Sequence, residues 1–384
     1  MNDIDFGGKS ISPLFTSTTQ FLGHFNGQGY KLSNYIVGTP KEVDGKTTYT
    51  KKSIATDYYG LFGYLGNDSV ITNLTLENFQ FHATRVSSSK TYYGFIAGYC
   101  KGTISNVNVV NSVMNIDTTG AISEYHIASI AGQVAGAGVI SNCTVECDIT
   151  VNGKNNVKIG GIVASTLTAT THETITKCTF TGDIDYVVRN TDNKAKDETA
   201  VYIGGIIGVN YLDVKECSAV GEIVVSLEFD NPSKVSEVIV GGLVGWNIGD
   251  AAELVDSTAD VAISITSQDK VNEKAKVYAG LLAGQNGANF ASAYAIIDNC
   301  NVIENSKKAN ISVLVHDEVE VKYGVVAVDT TLKNGEEAKY STKSEVNVAV
   351  EYYHYDTYEQ TKEDGTVEKI EKLVLTETKS DVLK

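Results

Sequence analysis

The chain has 384 residues, enough for two ordinary domains, with 47 acidic against 31 basic side chains and a net charge of −16. That balance, with Arg85 and Arg189 as the only arginines, excludes a nucleic-acid binder, which needs a basic footprint against phosphate, and disfavours an anionic membrane surface. The 35 Gly, 21 Tyr and abundant Val, Ile and Thr, beside only 3 Pro, describe a β-rich chain, because β-branched and aromatic side chains fit pleated, half-buried surfaces.

Met1 to Lys9 carries neither the basic n-region nor the apolar h-region of a signal peptide, and no run of about 18 apolar residues follows anywhere. Our reading is a trimmed mature fragment with an initiator Met, and no membrane insertion.

From residue 59 onward a signature of Gly, Gly, two aliphatics and Gly recurs. It reads Tyr59-Gly-Leu-Phe-Gly63, Gly94-Phe-Ile-Ala-Gly98, Ala128-Ser-Ile-Ala-Gly132, Gly160-Gly-Ile-Val-Ala164, Gly204-Gly-Ile-Ile-Gly208, Gly241-Gly-Leu-Val-Gly245, Gly280-Leu-Leu-Ala-Gly284 and a worn Tyr323-Gly-Val-Val-Ala327. The last residues of successive copies lie between 32 apart (Gly132 to Ala164) and 44 apart (Ala164 to Gly208). Each copy is followed by a second element, such as Ile140-Ser-Asn-Cys143 or Ile297-Asp-Asn-Cys300. A period-2 stretch continues from it: Cys143, Val145, Cys147, Ile149 and Val151 share one face. A third stretch, such as Val201-Tyr-Ile203 or Val238-Ile-Val240, leads into the next signature. A strand-only unit repeated at this period cannot bury its apolar face alone, so copies must stack. The predicted fold is all-β, a right-handed parallel β-helix of about eight or nine coils, on the order of 40 Å long at ~4.8 Å per coil. Polar insertions such as Val188 to Thr199 and Asn301 to Asn310 are expected to project as loops.

Cys143, Cys178, Cys217 and Cys300 occupy one repeat position with Leu74, Val107 and Ser257, which reads as an inward packing ladder rather than a disulfide or zinc framework. Asn210, Asn247 and Asn286 form a second row; Asn tolerates left-handed turns, and stacked amides hydrogen-bond along an axis. His24, His82, His126, His172, His316 and His354 share no repeat position and read as surface or loop residues, so no metal site is assigned.

In the signature itself both aliphatic positions are apolar. Strand alternation would put one in the core and the other on an outer stripe. Such a stripe is either covered by the chain's own loops or N-terminal segment, or is a docking face for a partner or for self-association. Tyr58-Tyr59, Tyr92-Tyr93 and the Tyr352, Tyr353, Tyr355 and Tyr358 group read as strand filler, with sugar stacking or an interface as the other option; a lone Trp246 makes no carbohydrate platform. From Val346 the signature is lost: Val346, Val348, Val350 and Tyr352 alternate, Lys362 to Thr366 reads as a hairpin turn, and residues 376–384 as a frayed tail. We therefore divide the chain into a solenoid, 1–345, and a polar C-terminal cap, 346–384.

These motifs resemble the GLUG repeat family. Gly241-Gly-Leu-Val-Gly-Trp-Asn247 matches the family's Gly-Gly-Leu-Val-Gly-x-Asn motif, and Ile4-Asp-Phe-Gly-Gly-Lys9 with Phe21 to Tyr30 and Leu32-Ser-Asn34 is similar to an opening coil, placed at 1–40. The resemblance covers roughly residues 3–328 and implies a secreted or cell-surface bacterial protein, adhesin-like or a non-catalytic part of an IgA-protease-type chain. No His-Glu-x-x-His motif occurs, so peptidase activity does not carry over. The expectation is a non-enzymatic extracellular module with an adhesive or stalk role, without catalytic residues or cofactor, whose partner is a host glycan, a host protein or a second copy. The alternative is a carbohydrate-active β-helix enzyme, which needs paired carboxylates or a Lys/Arg base in a groove.

Overall fold

The computed structural model describes residues 2–85, 87–118, 121–153, 156–167, 173–190, 199–229, 236–248, 252–267, 276–287, 295–303, 310–316, 319–324, 346–362 and 366–383. Among these every regular element is a strand. The expected insertions at 188–199 and 301–310 and the turn at 362–366 fall largely outside the described residues, as does the end of the eighth signature, Val325 to Ala327.

One coil shows how the sequence makes the unit. Thr199–Gly204 runs into a corner at Gly205 and Ile206, continues as Ile207–Asn210, turns into Asp213–Lys215, bends at Glu216 and runs on as Ser218–Phe229. The next coil lies on it in parallel register: Val201 pairs with Val238, Ile207 with Val244, Val214 with Leu254 and Ala219 with Ala259. Repeated along the chain, this builds three sheets, a long one of 21 strands and two short ones of 8 and 7. The result is the parallel β-solenoid expected from the repeats. Eight stacked strands in the first short sheet have seven gaps, so that sheet spans ~34 Å.

The long sheet obeys strict alternation. In Thr258–Ser267 every second residue is buried, and Ala259, Val261, Ile263 and Ile265 enter the core. Between its two segments each coil bends at one left-handed residue: Asn73, Asn106, Asn142, Lys177, Glu216, Asp256 and Asn299, with φ between +49° and +55°. Asn and Asp reach this region at lower cost than other residues with a Cβ, which explains the Asn of the Asn-Cys element. The left-handed Asn row is thus this one. Asn210, Asn247 and Asn286, expected to hold left-handed turns, are instead strand residues.

The Cys row follows directly from that bend. Cys143, Cys178, Cys217 and Cys300 are buried and free, and Ser257 completes the row. Each thiol donates to the carbonyl two residues back, Ser141 (3.3 Å), Thr176 (3.3 Å), Lys215 (3.2 Å) and Asp298 (3.4 Å) in turn, and the Ser257 hydroxyl does the same to Val255 at 2.8 Å. A small side chain with a weak donor fills the core and adds a second hydrogen bond to a carbonyl already in the ladder: Thr176, Lys215, Val255 and Asp298 also accept from the backbone N–H of Asn142, Lys177, Glu216 and Asp256.

The short sheets break alternation. Ile206 and Ile207 are neighbours, yet both are fully buried in the core, and so are Leu243 with Val244, Ile162 with Val163 and Ile130 with Ala131. The signature is an inward wedge: the chain runs toward the core, turns at the second Gly, and runs back. At the apex of a wedge both residues point inward. The glycines are required where the two arms close: a Cβ on Gly204 would lie 2.1 Å from the Ile207 carbonyl oxygen, and one on Gly208 2.9 Å from that of Tyr202. Among the described residues the two aliphatics of the signature therefore form no outer apolar stripe.

At the start, Ile4–Lys9 pairs with Lys31–Val37 and the hairpin Thr39–Val43/Lys46–Thr50 lies beside it. At the other end Val346–Thr361 pairs in parallel with Ile311–His316 and antiparallel with Val367–Leu383. The last strand continues to Leu383, so the segment expected to fray is paired.

Candidate functional site in the notch between the short sheets

Because the signature folds inward, the outer faces of the two short sheets converge on a notch that runs along the solenoid. One wall carries Tyr58, Tyr92, His126, Lys158, Tyr202, Ile239 and Tyr278 in successive register. The other carries Tyr64, Tyr99, Gln133, Ser165, Val209, Trp246 and Gln285. The walls touch. Tyr58 meets Tyr64 edge-on at 5.0 Å between ring centroids, Tyr92 meets Tyr99 at 5.7 Å, and Tyr202 stacks on Trp246 at 5.5 Å. Along each wall, Tyr58 stacks on Tyr92 at 5.2 Å and Tyr64 on Tyr99 at 4.8 Å. The rings spend their faces on one another and leave phenolic edges outward, the filler role expected of them. Tyr59 and Tyr93 point the other way, into the core. Trp246 is not isolated: besides Tyr202, its indole N–H donates to the Gly287 carbonyl at 3.0 Å.

Midway, the notch turns polar. The Ser165 hydroxyl accepts from Gln133 Nε2 at 3.0 Å and shares a 2.7 Å hydrogen bond with His126 Nδ1. Glu124 Oε1 stands 3.5 Å from His126 Nε2, an electrostatic contact rather than a hydrogen bond. The same carboxylate binds Lys90 Nζ at 2.7 Å and Lys158. Burial pushes the His126 imidazolium down to about 4, only partly opposed by Glu124. Burial also opposes ionisation of Glu124, but His126 and Lys158 outweigh it and hold the carboxyl well below its usual range. A Ser-His-Glu series suggests acyl chemistry, but His126 and Ser165 are each only 1 % exposed, so no substrate carbonyl can reach the hydroxyl. The series is a sealed polar joint between two aromatic stretches.

Further along, the row behind the notch is the Asn ladder. Asn210 Nδ2 donates to Asn247 Oδ1, and Asn247 Nδ2 to Asn286 Oδ1, both at 2.9 Å. Asn210 and Asn247 are fully buried, and the register continues through Leu65, Cys100, Val134 and Thr166. The expected structural role for this row holds.

Two histidines differ from expectation. His126 is buried as above, and His82 is covered because Tyr49 of the N-terminal hairpin stacks on it at 4.0 Å; burial pushes His82 down to about 4 as well. His24 is exposed, and His354 faces Asp356 at 3.1 Å. His172 and the His316 side chain lie outside the described residues. Among the described residues no group of three or more His, Cys, Asp or Glu could hold a metal ion.

Carboxylates do gather on the outer face of the long sheet, where the sequence singled out none. Asp148 Oδ1 accepts from the Asp183 N–H at 3.1 Å, and Asp183 Oδ1 from the Glu222 N–H at 2.8 Å, each reaching the next coil. Burial, with Asp183, Asp148 and Glu222 nearby, raises the Asp185 carboxyl. These groups stand on an exposed sheet face and serve the backbone of the following coil.

No protein family matches the chain, and no solved structure matches it. A 106-residue stretch, 28 % of the chain, is 28 % identical to a protein of Evansella cellulosilytica described as "Putative Gly-rich membrane protein". The match spans about a tenth of that protein's length. Among the described residues of the present chain no helix is long and apolar enough to cross a membrane, which leaves strand-based crossing unaddressed.

Proposed function

We propose that the chain is a non-enzymatic repeat module of a bacterial surface protein, related to the GLUG repeats, that acts as a rigid stalk or adhesive presenter. The observation that carries this reading is the filling of the notch. The notch the repeat creates is occupied by its own self-stacked aromatics and by a sealed His-Ser-Glu joint. A side chain set aside for catalysis needs access, whereas a stalk needs an unbroken core and closed walls. The Gly-rich membrane protein it partly matches supports a surface location, secreted or cell-attached, and the acidic face keeps such a rod soluble.

The test is a paired one. Purified protein is incubated with a panel of neutral and uronic-acid polysaccharides, read for both binding and product release. Retention of a polysaccharide without turnover is the expected result for an adhesive module, and no retention for a pure stalk. Release of oligosaccharides would overturn the reading in favour of a lyase or hydrolase, with Asp148, Asp183 and Asp185 the first carboxylates to replace.

A further inference from the structure

The sequence carries four Asn-x-Ser/Thr triplets whose middle residue is not Pro: Asn67-Asp-Ser69, Asn73-Leu-Thr75, Asn142-Cys-Thr144 and Asn310-Ile-Ser312. Such a triplet is the acceptor pattern for N-linked sugars, and it can serve only where amide and hydroxyl are both accessible. The fold separates the four. Ser69 is fully buried, its hydroxyl donating to the Gly66 carbonyl at 2.7 Å, and Asn310 is itself fully buried. The Asn73 amide is held between two coils: its Nδ2 donates to Asn26 Oδ1 at 3.1 Å, and its Oδ1 accepts from Asn106 Nδ2 at 3.2 Å. Asn142 differs. It is exposed, and among the described residues its side-chain amide has no hydrogen-bond partner.

The bend explains this presentation. Asn142 is left-handed, with φ +52°, and stands at the outer corner of the long sheet. Cys143 then turns fully into the core, and alternation returns Thr144 to the outer face, where it is exposed. Amide and hydroxyl, two residues apart, thus look out from one side of a rigid turn. The neighbours in the row leave room: Asn106 has given its amide to Asn73, and Lys177 Nζ reaches the other way, to 3.8 Å from Glu216.

We propose that Asn142 is the acceptor for an N-linked sugar, a modification that rests on the surface location proposed above. In the transfer, the Asn142 amide nitrogen attacks the anomeric carbon of a sugar activated as its diphosphate ester. One C–N bond forms and the bond from that carbon to the diphosphate oxygen breaks. The diphosphate carrier leaves with the electron pair, and the amide proton passes to a base of the transferase. The sugar then projects from the outer corner of the long sheet, clear of both the core and the notch. The repeat supplies an internal comparison. Lys177-Cys-Thr179 and Asp256-Ser-Thr258 hold the same bend, with φ +54° and +50°, and carry the hydroxyl without the amide.

The experiment is peptide mapping by mass spectrometry in two arms. The first takes the protein purified from the cells that make it. The second takes the folded chain from cells without protein glycosylation, after incubation with a soluble Asn-glycosyltransferase and UDP-glucose. The expected result in both is sugar on Asn142, with Asn67, Asn73 and Asn310 bare. Thr144→Ala, at an exposed position, should abolish the modification without lowering the melting temperature, and Thr144→Ser should keep it. Lys177→Asn should add a second sugar at the neighbouring bend. A bare Asn142 in the native protein overturns the proposal; acceptance in the second arm then places the fault in the surface location, and refusal there places it in the geometry. Equal labelling of Asn73 or Asn310 in the folded chain also overturns it, because presentation at the bend would then select nothing.

Discussion

The two bends of each coil solve opposite problems. The bend in the long sheet turns the chain around the outside of the core. It does so with one left-handed residue, and the carbonyl just before that residue serves both the inter-coil ladder and the following Cys or Ser side chain. The wedge between the short sheets turns the chain into the core. It spends glycines on the closing arms and drives two adjacent aliphatics inward at the apex. An outward bend preserves strand alternation on either side. An inward one suspends it for two residues and brings outer faces together, which is why His126 and Ser165 are sealed in the notch, outside the main core.

The difference can be tested by attacking each bend. The largest effect is expected at the wedge. Gly204→Ala places a methyl group 2.1 Å from a backbone oxygen, and should cost about 3 kcal/mol in guanidinium unfolding, since backbone rather than a flexible side chain must yield. Next comes acid. The folded-state pKa values of His82 and His126 lie near 4, below the unfolded value of ~6.5, so the folded protein binds fewer protons in that window. Stability should be fully present above pH 6.5 and fall steadily as pH drops toward 4. A His82→Leu, His126→Leu double variant should flatten that part of the profile measured by thermal melting; an unchanged slope would show that neither ring is buried neutral.

A smaller loss is expected at the ladder behind the notch. Asn247→Leu removes an acceptor from Asn210 and a donor from Asn286, and should cost about 1.5 kcal/mol by leaving buried amides unpaired. The smallest effect has the opposite sign. Lys177 and Glu216 hold the left-handed bend where other coils use Asn or Asp, so Lys177→Asn should stabilise by about 0.5 kcal/mol in the same denaturant assay. The same substitution on the regular strand residue Thr258 should not stabilise.

Much of this was legible from residues alone. The spacing of the signature implies stacking, and the Cys143, Cys178, Cys217 and Cys300 row lies where a period-2 face meets a repeat position. Asn210, Asn247 and Asn286 were correctly read as an axial ladder for half the right reason. The wedge is not legible, because strand alternation carried through Gly205 gives no sign that the chain reverses there, and the notch exists only through that reversal. Its walls lie six positions before and one position after the last signature residue, as Tyr92 and Tyr99 do around Gly98 and Tyr202 and Val209 around Gly208. Two aromatic-rich rows at those offsets are the signal that could have found it. His126 and Ser165 are 39 residues apart, in neighbouring coils and different sheets, so no linear spacing marks them as partners.

The central claim is that the signature is an inward wedge with both aliphatics in the core. It is tested most directly by comparing Ile206→Ala with Ile207→Ala in guanidinium unfolding monitored by circular dichroism. Both side chains are fully buried, and each truncation should cost about 3 kcal/mol. A loss at one position with a change below about 0.5 kcal/mol at the other would contradict the account, because it would restore the alternating strand with one face outside.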